Sequence, residues 1–244
     1  MPDSVTDNRF PPTRDTLVEA ITSPDPGKRS SALEVLVRGY WRPVYSYLRL
    51  QWHLLPADAE DLTQDFFLRL LEREFLAGYD QQRARFRTYL RVCLDGFAAN
   101  HRKAAGRLKR GGATPILSLD FRDAEGELRT HDVPDPSDPE VHFRRAWVRA
   151  LFTEAVVQLQ REFREAGKER SLAVFERYDL ADRPAGGLTY AQVARGLGLS
   201  STQVNNYLAA ARRRFRQIVL ERLRELCVSE AEFRAEASEL FGGG

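Results

Sequence analysis

The run from Thr189 to Arg216 constrains this chain more than any other stretch. Ala194 is a small residue where two helices must nearly touch. Gly198 falls where the turn between them needs a left-handed backbone, and Val204 points inward on the second helix. Val193, Leu197 and Leu199 supply apolar packing around that turn, and Ser200 or Ser201 is placed to N-cap the second helix. Val204, Leu208, Ala211, Phe215 and Ile218 then recur at alternating four- and three-residue steps, one continuous buried stripe. The opposite face presents Ser201, Thr202, Gln203, Asn205 and Asn206, followed by Arg212, Arg213, Arg214 and Arg216. Amides and hydroxyls pair with base edges, whereas guanidiniums fork onto phosphates. An ordinary helical hairpin with solvated arginines would need none of the Ala/Gly/Val spacing. The pattern is that of a DNA-reading helix-turn-helix running into a basic helix.

Composition sets wider bounds. A chain of 244 residues suffices for one large domain or two small ones, each with its own core. Hydrophobic content of 43% and charged content of 30% are ordinary for a soluble globular protein. The net charge of +2 implies no nucleic-acid partner by itself; its distribution does. Arg102, Lys103, Arg107, Lys109 and Arg110 fall in a stretch without a carboxylate, whereas 120–140 is strongly acidic. Cys93 and Cys227 lie far apart in apolar helical contexts without metal-ligand spacing, so they read as small buried hydrophobes in a reducing compartment. There is no apolar signal core and no stretch of membrane-spanning length. The expected location is the cytoplasm, with no membrane partner.

Along the chain the pattern predicts an all-α protein of two small helical domains joined by an acidic flexible linker. The expected divisions are an N-terminal extension with a short helix (1–27), a first domain (28–112), the linker (113–139), a second domain (140–226) and a C-terminal helical extension (227–244). Residues 1–12 read as disordered, and Thr13 to Thr22 as a short helix ended by the Ser23 to Gly27 break. Pro43 reads as the first turn of a new helix, where its missing amide hydrogen costs nothing. Asp58 reads as the cap of the next helix. The following one runs from Phe86 to about Leu108, whole or broken near Gly96. Pro134, Pro136 and Pro139 among acidic residues give the connector its linker chemistry. Ala146 to Phe163, Ser171 to Tyr178 and a final helix from Val228 to Phe241, capped by Ser229, complete the helical set. Only Pro115 to Leu119 has any strand character.

Two clusters in the first domain carry chemistry. Asp61 and Asp65 stand one helical turn apart with Gln64 beside them. Such a pair holds a metal, serves as acid and base, docks onto a partner's arginines, or is simply solvated. No second acidic or histidine cluster completes a metal shell, and no nucleophile adjoins it, so neither a metal site, a catalytic residue nor a cofactor is expected. Farther on, Arg83, Arg85, Arg87 and Arg91 interleave with Phe86, Tyr89 and Phe97, ahead of Asn100, His101, Arg102 and Lys103. Cations alternating with rings suit single-stranded DNA, each base stack contributing about 1–3 kcal/mol. Phe86 and Phe97 also fit a core, and Tyr89 fits either role.

Together these pieces resemble the extracytoplasmic-function group of bacterial RNA polymerase sigma factors over about residues 30–225. In that family a helix reads Ala-Glu-Asp-Leu-Thr-Gln-(Asp/Glu)-x-Phe-Leu-Arg-Leu, and Ala59 to Leu70 follows it throughout. The resemblance implies that Asp61, Gln64 and Asp65 contact the clamp helices of core RNA polymerase. Phe86 to Leu90 matches the family's Phe-Arg-x-(Trp/Tyr)-Leu, which implies capture of the promoter −10 strand by Arg87, Tyr89, Arg91, Asn100, Arg102 and Lys103. Tyr190 to Arg214 is similar to the family's −35 reader, with Ser201, Thr202, Gln203, Asn205, Asn206, Arg212, Arg213 and Arg214 on the DNA and a contact to the polymerase flap. The stretch Leu108 to Gly112, Leu117 to Asp120 and the C-terminal helix resemble a subgroup found in planctomycetes and similar bacteria. Two positions depart from the family: Gly96 stands where Asn is frequent, and Asn205-Asn206 where a basic residue usually follows the buried valine.

The resemblance therefore implies a non-enzymatic sigma factor whose partners are core polymerase, promoter DNA and an anti-sigma regulator. The acidic connector would either mimic nucleic acid in the polymerase channels or merely solubilise the chain. The alternatives are a free-standing helix-turn-helix regulator, which has no need of the Asp61/Gln64/Asp65 face, and a metal-dependent nucleotide hydrolase built on Glu60, Asp61 and Asp65. The hydrolase would need acids from a second helix.

Overall fold

The computed structural model describes residues 17–71, 76–105, 119–130, 138–181 and 188–242, and among them the regular elements are all helical. The expected all-α class holds. The Arg107 to Arg110 part of the basic run, the Pro115 to Ser118 part of the strand candidate and the first twelve residues lie outside the described residues.

Helix α1 (Leu17–Thr22) lays Leu17 and Ile21 on the core. The Ser23–Asp25 break follows, and the Asp25 carboxylate accepts the Gly27 amide at 2.8 Å to start α2 (Pro26–Leu50). This helix runs unbroken through Pro43, contrary to the expected new start there. An interior proline removes one hydrogen bond and costs about 3 kcal/mol. Tyr40, Trp41, Val44, Tyr45, Tyr47 and Leu48 are all buried around it, and each large side chain withdrawn from water contributes about 1.5–3 kcal/mol. Packing outweighs propensity. His53, at φ 53, then turns the chain into α3 (Pro56–Leu71), where Asp58 sits in the first turn rather than at the cap. Helix α4 (Phe86–Ala105) passes straight through Gly96.

The acidic connector is not wholly loose. Helix α5 (Phe121–Thr130) forms within it and docks on α2. Phe121 and Ala124 are buried, and the Phe121 ring meets Trp41 and Tyr45 at centroid distances of 5.5 and 5.2 Å. Asp123 pairs with Arg42 at 2.6 Å and Glu125 with Arg49 at 2.8 Å. Its acids therefore neutralise cations of α2, while the apolar residues between them close the core.

Helix α6 (Pro139–Glu165) joins the two halves of the chain. Phe143, Trp147, Leu151, Ala155, Leu159 and Phe163 form its buried face, and it packs on α2 at one end and on α9 at the other. Trp147 stacks on Tyr40 (6.3 Å, 23°), and Phe143 meets Tyr47 edge-on (5.5 Å, 80°). Helix α7 (Glu169–Phe175) ends in a π-helical turn, Glu176–Leu180. Helices α8 (Tyr190–Leu197), α9 (Ser201–Leu226) and α10 (Glu230–Phe241) complete the chain. The α2–α9 approach is close: a Cβ added at Gly39 would lie 2.4 Å from a Leu226 methyl.

Candidate nucleic-acid interface

Local chemistry sets the α8–α9 unit. Thr189 and Gln192 form a reciprocal capping box at the start of α8, with Gln192 Oε1 accepting the Thr189 amide at 2.8 Å. Gly198 ends that helix at φ 64, a left-handed conformation that suits glycine. Ser200, rather than Ser201, caps α9: its hydroxyl accepts the Gln203 amide at 3.1 Å, and Gln203 Oε1 accepts the Ser200 amide at 2.9 Å. Val193, Val204, Leu208, Ala211 and Ile218 are completely buried, and Ala194 nearly so. Phe215 is only half-buried, its ring against Phe152 and Phe175 at 5.6 Å each.

Ser201, Thr202, Asn205 and Asn206 are exposed along the first two turns of α9. Gln203 is exposed too, but its carbonyl oxygen is spent on the cap. The three arginines that follow differ. Arg212 holds Asp179 through two bonds of 2.8 and 2.7 Å, and Arg214 holds Glu162 at 2.6 and 2.7 Å. Arg213 is exposed and makes no ion pair among the described residues. The hydrogen bonds from Arg214 hold the Glu162 carboxyl down at about 2.

In the front half, Ala59, Leu62, Phe66, Phe67 and Leu70 turn inward from α3, so Asp61 is left exposed and Gln64 and Asp65 half-exposed. These three form one polar face. Among the described residues no cluster of His, Cys, Asp and Glu is arranged to hold a metal ion. No described helix is long and apolar enough to cross a membrane.

Helix α4 splits its expected binding residues into two groups. Asn100, Arg102 and Lys103 stand exposed in its last turns. Arg87 and Arg91, by contrast, are engaged inside the molecule. Glu140, in the first turn of α6, accepts Arg87 Nη1 at 2.6 Å, Thr88 Oγ1 at 2.9 Å and Arg91 Nε at 2.8 Å. Arg87 is only 4% exposed, with its guanidinium 5.5 Å from the Trp147 ring. Burial pushes the Glu140 carboxyl up, but bonds from Arg91 and Thr88 and the Arg87 charge outweigh it and leave it below the ordinary range. Tyr89 is half-buried against Tyr79, ring centroids 5.1 Å apart, and burial with a bond to Cys93 pushes its hydroxyl up to about 12.

Helix α10 closes the same end of α4. Glu232 accepts the Phe86 amide at 2.7 Å, so a residue far along the chain caps α4. Glu236 reaches Arg85 at 3.1 Å and Arg87 at 3.2 Å, and Glu239 reaches Arg85 at 2.6 Å. Sequence reasoning missed this acidic side. Its only trace is the spacing of Glu232, Glu236 and Glu239, which places all three on one helical face.

Residues 36–108 match the family model of sigma-70 region 2. The matched segment takes in most of α2 and all of α3 and α4, and α6 to α10 fall outside it. The likeness to sigma-70 region 2 is therefore one of this segment, less than a third of the chain. Neither the curated proteins nor the solved structures contain a match to this chain.

Proposed function

We propose that this chain is a sigma factor of the extracytoplasmic-function type, which binds core RNA polymerase and directs initiation at promoters. The match over residues 36–108 carries this reading. In it, Asp61, Gln64 and Asp65 grip the polymerase clamp, because α3 leaves them outward while its other face is core. Helix α4 captures the opened −10 strand, with Asn100, Arg102 and Lys103 accessible and Arg87, Tyr89 and Arg91 joining once their internal partners release. The α8–α9 unit acts as the helix-turn-helix that reads −35 duplex, with Ser201, Thr202, Asn205 and Asn206 on base edges and Arg213 on phosphate. The domain divisions of the sequence follow: a polymerase-binding front, an α9-bearing back, and α10 as an extension. An anti-sigma regulator is a further partner on this reading. The chain carries no chemistry of its own, since bond formation belongs to the polymerase.

Reversing the grip tests the reading. Asp61→Arg with Asp65→Arg should abolish comigration with purified core polymerase while circular dichroism and melting stay as in the parent. Undiminished comigration would remove α3 from the interface.

A further inference from the structure

The only fully buried residue of α10 is a glutamate, Glu236, 1% exposed. The apolar residues of that helix, Phe233, Ala237, Leu240 and Phe241, are merely half-buried. They pack against the core without being withdrawn fully from water, so α10 gains less from apolar burial than α2, α6 or α9 and lies toward the more easily released part of the fold. Its polar contacts are chemically specific. Glu232, Glu236 and Glu239 share one face and meet the Phe86 amide, Arg85 and Arg87, the donors at the first turn of α4. Arg144 of α6 adds a second cation to Glu239 at 3.1 Å.

The fit is incomplete. Arg87 Nε and Glu236 Oε2 are both buried and find no hydrogen-bond partner among the described residues. A buried charge pair with unmet donors and acceptors returns little net stability for its desolvation. Arg87 thus keeps one donor unmet although Glu140 and Glu236 both bind its guanidinium, because the second Glu236 oxygen is not aimed at it, and an anion with acceptor oxygens on several sides would fit better. A phosphodiester has that character, and forked guanidinium bonding suits it. Helix α10 also reaches α9, where Arg216 lies 4.6 Å from the Phe241 ring and Arg224 lies 4.1 Å from the Phe233 ring. One helix therefore covers cations of both elements assigned to DNA.

We propose that α10 is an internal mimic of a DNA strand, its Glu232, Glu236 and Glu239 occupying the phosphate positions at the first turn of α4 and holding the chain closed until single-stranded DNA displaces it. This inference rests on the reading of α4 as the strand-capturing helix.

The test uses the full chain and a fluorescein-labelled single-stranded oligothymidylate at low salt. Glu236→Gln with Glu239→Gln should tighten binding by about tenfold, because apparent affinity scales with the population of the open form. Glu34→Gln, which breaks an exposed pair with Arg38 within α2 and touches neither α4 nor α10, should leave affinity unchanged. If the double variant folds poorly, Glu239→Gln alone should give a smaller gain in the same direction. Hydrogen exchange on the unaltered protein needs no variant: saturating oligonucleotide should speed exchange of the 230–241 amides. Unchanged affinity in the variants together with unchanged α10 protection overturns the proposal. Promoter-specific transcripts in the presence of that negative result would leave the sigma reading standing. Tighter binding and released α10 without any transcripts would do the reverse.

Discussion

Arg87 and Glu140 form a 2.6 Å ion pair that ties α4 to the first turn of α6, with the arginine 4% exposed. The second oxygen of the same carboxylate takes Arg91 at 2.8 Å. Two of the cations assigned to the −10 strand are thereby turned into a joint between the halves of the molecule.

Removing that carboxylate should both loosen the joint and free the cations. Glu140→Gln is expected to destabilise the fold by about 2 kcal/mol, since it leaves a buried guanidinium short of a partner. Urea unfolding with an unchanged slope would measure it. Loss below about 0.5 kcal/mol would mean that the pair is screened like an ordinary surface bridge.

Acid should act on the α6–α9 contact. Glu162 titrates near 2 in the folded chain against an ordinary 4.5, through the bonds from Arg214. Its contribution is complete above the unfolded value and is lost as pH falls from about 4.5 toward 2. Glu140 and Glu239 are lowered as well and add to that loss. Glu232 runs the other way: burial raises it, so its contribution is present in acid and declines as pH rises. The expected net result is falling stability below pH 4.5, with a shallower fall in Glu162→Gln. Equal slopes in melts of the two proteins would contradict the assignment.

On the proposed reading, the exposed face of α9 divides base reading from phosphate contact. Asn205→Ala should relax sequence choice by about 1–3 kcal/mol at one base pair. Arg213→Ala, which breaks no ion pair among the described residues, should weaken all duplexes alike and reduce the salt slope by about one unit. Binding titrations across a set of single-base variants distinguish them. Identical effects would mean that the two residues do not divide the work in this way.

How far the sequence disclosed all this depends on the range of each interaction. The α8–α9 turn was legible because its determinants are local: two capping boxes, a left-handed glycine and a period that needs no distant partner. Pro43 misled because its local penalty is overridden by aromatic side chains that meet α6, about a hundred residues later in the chain. Helix α5 was hidden behind its acidity, since Asp123 and Glu125 are linker-like until Arg42 and Arg49 are placed opposite them. Glu236 was invisible for the same reason. A glutamate on an amphipathic helix is read as solvent-facing unless the arginines across from it are known.

Transcription with purified core RNA polymerase tests the central claim most directly. Core enzyme mixed with this chain should yield transcripts from discrete, mappable start sites on linear genomic fragments, and none of those starts should appear with core enzyme alone. The same unspecific products with and without the chain would contradict the account.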